Sequence, residues 1–264
     1  MILRLLRAET RREFKHAQSY YFDVIADQVL FTLMFLLISG VIHLLLQGMY
    51  TDDAILIALI GFVTWRVADG CILGVTENIS EDANVGVLEQ IYLSAPLPEI
   101  TLLTRGVVVF FYHSTRGFLL ALVVLVILRI SLPNSPIVSL LLVFGITQIG
   151  ALGVAYIISG LHLVYKKTAS ITLALSTALL FLTGAITPLN NAPVLYVLTR
   201  FLPLTVGIEL LRKIVFTDMS VVTLFAQTEF YLLILNSVTY GAVGFFCLRW
   251  GQNIARERGS LAHY

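Results

Sequence analysis

The chain has 264 residues, of which 58% are hydrophobic and only 12% charged. An ordinary soluble domain carries about 25% charged residues, and apolar surface on this scale cannot be hidden in one soluble core of this length, so the bilayer is the solvent. A net charge of +1 gives no footing for nucleic-acid binding. Two cysteines in distant apolar runs, Cys71 and Cys247, speak against a disulfide framework or zinc site.

The opening stretch, MILRLLRAETRREFKHAQSYYFD, is too charged to span. It lacks the central apolar region of a secretory signal. Leu3, Leu6, Thr10, Phe14, Ala17 and Tyr21 recur at helical spacing, with Arg4, Arg11, Arg12 and Lys15 elsewhere around the helix. The pattern predicts a helix over 1–22 lying in the membrane interface. Six apolar stretches follow, at about 25–47, 54–76, 105–129, 136–163, 169–187 and 224–248. Each meets the roughly 20 residues that a span requires, and each is read as a helix because backbone groups in lipid must bond within their own segment. The expected fold is a single all-α integral membrane domain, 1–264, with six transmembrane helices.

With six spans, both termini and the loops near 77–105 and 164–168 share one side. That side holds Arg4, Arg7, Arg11, Arg12, Lys15, Arg105, Lys166, Lys167, Arg249, Arg256 and Arg258. The other holds Arg129, Arg200, Arg212 and Lys213. The bias places both termini in the cytoplasm.

The second span contains Arg66 with Asp69 one turn away, and the third contains His113 and Arg116 at similar depth. A central arginine costs at least ~2.5–3.5 kcal/mol unless it faces protein or water. Asp69 is therefore expected to bridge Arg66 to Arg116 or His113, either as an ion-pair cluster between helices or as a polar lining of a path. His43, His162, Asp27, Gln148, Glu229 and Asn236 are scattered without metal-ligand spacing and read as interhelical hydrogen-bonding groups.

The segment ENISEDANVGVLEQIYLSAPLPEITLLTRG (Glu77–Gly106) gathers Glu77, Glu81, Asp82, Glu89 and Glu99 against the single base Arg105. Asn78 and Glu81 have the spacing of a capping box. Val85, Leu88, Ile91 and Tyr92 share one face, and Pro96 and Pro98 close the segment. A short amphipathic helix in a cytoplasmic loop over 77–104 is expected, serving as a docking element or as a plain solvated linker. Farther on, residues 188–222 carry three prolines and the apolar run VLYVLTRFL, which is too apolar to sit comfortably in water.

EDANVGVLEQIYLSAPLP resembles a stretch of the permease subunits of type-2 ABC exporters, the ABC-2 membrane family, through Gly86, Leu88, Glu89, Tyr92, Leu93, Ser94 and Pro96. LTGAITPLNNAPVLYVLTRFLPLTVGIELLRKI is similar to that family's closing region through Gly184, Pro188, Pro193, Pro203, Leu204, Thr205, Glu209 and Arg212. The resemblance implies a half-transporter in a bacterial plasma membrane. Two six-span subunits, a homodimer or a pair with a second permease, would join two ATPase subunits that bind ATP and magnesium. It implies that Glu81, Asp82, Gly86, Leu88, Glu89, Tyr92 and Pro96 form the coupling helix seated on the ATPase. Phe62, Trp65, Arg66, Ser176, Leu180, Phe181 and Thr183 would line the substrate path. Residues 188–222, with Gly184, Pro188, Pro193, Pro203, Glu209 and Arg212, would form a re-entrant outer gate between spans five and six.

This chain would then perform no bond chemistry and bind no cofactor. Its nearest approach to a phosphate-cradling loop, GLHLVYKKT, lacks the second glycine. The expected cargo is amphipathic or hydrophobic, drug-like or lipid-linked, and a glycan or glycolipid is the alternative. An ion-coupled secondary transporter is the competing class, although no inverted repeat supports it.

Overall fold

The computed structural model describes residues 2–45, 51–87, 90–91, 98–131, 135–165, 169–189 and 193–257. Its helices are α1 (Ile2–Ser19), α2 (Tyr21–Leu45), α3 (Asp52–Asn84), α4 (Pro98–Leu128), α5 (Ile137–Tyr165), α6 (Ala169–Leu182), α7 (Pro193–Thr199), α8 (Pro203–Thr217), α9 (Val221–Phe225) and α10 (Thr228–Glu257). No strand occurs among the described residues. Five of these helices, α2, α3, α4, α5 and α10, are long and apolar enough to cross a membrane.

The stretch expected as span five, 169–187, forms a helix only over Ala169–Leu182, 14 residues. At 1.5 Å per residue it reaches about 21 Å, short of the roughly 30 Å of hydrocarbon. The helix stops because the chain turns at Thr183 and Gly184, where Gly184 adopts φ 68°. That left-handed conformation is open to a residue without Cβ.

α3 is the hub. Its apolar stretch is 83% buried, against 17% for α2 and 28% for α10. Leu59, Phe62, Ile72, Val75, Ile79 and Ala83 repeat at helical spacing and are all buried against α4, α5 and α6. The outward sides of α2, α4 and α10 keep apolar residues such as Leu30, Leu37, Leu122, Val126, Leu235 and Phe246 uncovered, as lipid-facing surfaces do.

α5 and α10 meet along a glycine seam. A Cβ at Gly153 would strike the backbone at Tyr240, and one at Gly160 the backbone at Cys247. From the other side, Gly244 abuts Gly153 and Gly251 abuts Gly160. The pairing advances by seven residues on both helices in the same direction, so the two run parallel with backbones in contact. Small residues in register permit that approach, and close packing is what associates helices in lipid. α8 is wedged against the same pair: Gly207 meets the Thr147 side chain, and Gly150 meets Pro203.

Candidate functional site

At the end of the molecule where α3 finishes and α4 begins, α1 lies across both. Arg105 of α4 donates to Glu9 from Nε at 3.2 Å and from Nη2 at 3.3 Å, and its Nη1 donates to Asp82 of α3. Arg12 of α1 donates to the same Asp82 at 3.0 Å, and Asn78 donates to Glu13 at 3.1 Å. Arg105 and Asp82 are each only 2% exposed. Three helices are thus clamped by two arginines and two carboxylates that neutralise one another. α1 turns Glu9, Arg12 and Glu13 to the protein and leaves Leu3 and Phe14 exposed, the arrangement of an interfacial helix.

This geometry corrects two expectations. Asn78 does not cap a new helix, because α3 runs on to Asn84, kept in phase by the buried Val75, Ile79 and Ala83. The helix ends at Val85 and at Gly86, whose φ is 73°. Asp82 is not an outward docking acid, since it is buried and bound within the chain. Glu81 is exposed, and Val87, Gln90 and Ile91 are helical. Leu88, Glu89, Tyr92 and Pro96, the rest of the expected coupling helix, lie outside the described residues.

A second cluster lies midway along α3. Arg66 donates to Asp69 at 3.0 Å and to Asp27 of α2 at 2.7 Å. Arg116 of α4 donates to that same Asp27 and to the Val24 carbonyl at 3.0 Å. The bridge between the arginines is therefore Asp27, not Asp69, which instead accepts from the Ser176 hydroxyl on α6. His113 is drawn into no ion pair among the described residues. Its ring packs over Gly70, where any side chain would collide with it. In the sequence Asp27 reads as one of several scattered polar residues. The charge count held the signal: two intramembrane arginines against one aspartate leave a positive charge that Asp27, near the start of its span, can balance.

Of the expected path residues, Phe62, Trp65, Ser176, Leu180 and Thr183 are buried inside the chain, and Arg66 is committed to its carboxylates. Trp65 Nε1 donates to the Ser176 carbonyl at 3.0 Å, fastening α6 to α3. Phe62 packs against Phe35 of α2, the rings tilted by 51°. These side chains form packing between helices, while Phe181 alone of the set is exposed.

At the opposite end, Arg212 of α8 donates to the Ile57 carbonyl of α3 at 3.0 Å and to the Ala185 carbonyl at 2.9 Å. The latter carbonyl follows Gly184 and lacks a helical partner, so the guanidinium supplies the donor. Gly61 leaves room for both Arg212 and the Ala185 carbonyl. Burial pulls Arg212 down to about 10, opposed by nearby Glu209, and burial likewise raises Glu209. Pro203 begins α8 and is buried, and Pro188 is exposed. The side chain of Pro193, which begins α7, lies outside the described residues.

Between the α1–α2 elbow and the α3–α4 pair runs a crevice of about 540 Å³. α1 contributes Glu13 and His16; α2 contributes Asp23, Val24 and Asp27. The floor is α3 from Arg66 through Gly70, Leu73, Gly74 and Glu77 to Glu81, and the far wall is Val109, Tyr112, His113 and Arg116 of α4. Among the described residues, no three His, Cys, Asp or Glu side chains converge as metal ligands.

Comparison with protein-family models and with curated proteins found no match.

Proposed function

We propose that this chain is the permease subunit of an ATP-driven exporter that moves an amphipathic or hydrophobic substrate out across a bacterial plasma membrane. The observation that carries the reading is the clamp of Glu9, Arg12, Asp82 and Arg105. It ties an amphipathic interfacial helix to α3 and α4, on either side of the segment that bears the resemblance to a coupling helix. A displacement of that segment would move α1, α3 and α4 together, which is what a mechanical input needs.

Two further features support the reading. α6 with the turn through Leu189 would complete a sixth crossing and bring both termini to the cytoplasm. α7 keeps Val194, Val197 and Leu198 uncovered while α8 is mostly buried, from Pro203 through Arg212 but for Glu209. A pair of short helices in which one is apolar outside and the other packed inside suits a re-entrant element. Two copies of the chain and two ATPase subunits would make the transporter. ATP would act by binding preferentially to one of two conformations.

The test is co-expression with the ATPase encoded beside its gene, followed by purification in lipid nanodiscs. Stable association, with ATP hydrolysis that depends on the permease, is expected for wild type and lost in Glu89→Arg. Failure of any ATPase to associate in detergent or in nanodiscs would remove the mechanism.

A further inference from the structure

The 540 Å³ crevice falls within the range of sites that hold small molecules, about 300–1,000 Å³. Gly70 and Gly74 let the His113 ring of α4 pack directly on α3, which sets the far wall against the floor. Its charges are unequal. Arg66 and Arg116 are balanced by Asp27 and Asp69, which leaves Glu13, Asp23, Glu77 and Glu81 on the lining with no further lysine or arginine. An anion entering would face four carboxylates; a cation would be drawn in.

Arg66, on the crevice floor, is a cation held by carboxylates and a ring, with Asp69 and Phe31 behind the lining. Its guanidinium lies between two carboxylates with the Phe31 ring 3.7 Å away, the combination that recognises organic cations. Tyr20 and Tyr112 offer further rings, and Leu73 and Val109 give the floor an apolar stretch. A bare metal ion would need converging ligands, which the described residues do not gather.

We infer that the crevice between the α1–α2 elbow and the α3–α4 pair is a binding site for an amphipathic organic cation. The ammonium or delocalised positive charge sits toward Glu77 and Glu81, and the apolar body lies over Leu73 and Gly74. The assignment concerns binding by this chain and stands apart from the export reading.

The experiment uses the full chain in nanodiscs with rhodamine 6G, a fluorescent amphipathic cation, read by anisotropy against empty nanodiscs. Saturable binding is expected, with competition by tetraphenylphosphonium and none by an anionic dye of similar size. The double variant Glu77→Gln/Glu81→Gln should bind roughly tenfold more weakly. Leu73→Trp fills the floor, keeps every charge, and should also abolish saturable binding. Absence of saturable binding to wild type, preference for the anion, or unchanged affinity in a folded Leu73→Trp protein would each overturn the assignment.

Discussion

Replacing Asp82 with asparagine keeps the shape of the clamp and removes its central charge. Asp82 is shared by Arg105 and Arg12, and breaking a buried pair from one side costs about 3–5 kcal/mol because the other charge stays behind. Arg105 retains Glu9 at 3.2 Å, and Arg12 is partly exposed, so the expected loss is smaller, about 2–3 kcal/mol. At roughly 2–4 °C per kcal/mol for a chain near this size, Tm should fall by about 4–12 °C. Cys71 is fully buried on α3 and Cys247 only partly, so with Cys247→Ser in the background a thiol-reactive fluorophore reports unfolding directly in detergent. Trypsin should also cut faster at Arg11, Arg12 and Lys15, because α1 loses its hold. Adding Arg105→Met to Asp82→Asn should cost less than the sum of the two single changes by at least ~1.5 kcal/mol, as for groups in one network. A Tm within about 1 °C of wild type with unchanged trypsin cleavage, or strict additivity, would show that the clamp does not hold α1.

Other outcomes follow from the same geometry. Gly153→Leu should abolish recovery of monodisperse protein, because its side chain would occupy the backbone of Tyr240. Gly145→Ala, at a position with open space, should leave size-exclusion behaviour unchanged and raise stability by up to ~1 kcal/mol. Arg212→Lys should lower Tm by several degrees, since an ammonium cannot serve the Ile57 and Ala185 carbonyls with the same fork; each charge-assisted bond lost costs about 1.5–3 kcal/mol. Glu209 has its pKa raised by burial. Its contribution is therefore fully present below its unfolded value, about 4.3, and lost as pH rises through the folded value. Tm measured upward from pH 4 should fall less steeply in Glu209→Gln than in wild type.

The apolar helices are legible because composition alone decides what can sit in lipid: α2, α4, α5 and α10 coincide with expected spans to within a few residues, apart from the start of α4 and the end of α10, which run longer. Side-chain partners are legible only where they are local. Arg66 with Asp69 is an i, i+3 pair visible in the string, whereas Asp27 with Arg116 joins residues 89 apart. Asp82 looks like a surface acid until α1 folds back and brings Glu9 and Arg12 beside it. Asn78 and Glu81 carry a genuine capping signature that loses to the buried stripe of Val75, Ile79 and Ala83, since tertiary burial outweighs a cap worth about 1 kcal/mol. Phe62 and Trp65 read as lining or packing with equal ease, and only the position of α6 decides for packing.

The glycine seam also bears on how the protein is made. Gly153 and Gly244 lie 91 residues apart in sequence. At about 5–20 residues per second, α5 waits roughly 5–20 s in the bilayer before α10 emerges to meet it. During that interval its narrow, side-chain-free groove is open to any other helix bearing small residues. Orderly biogenesis therefore depends on shielding α5, by an insertase or by an early embrace with α3, until its parallel partner arrives.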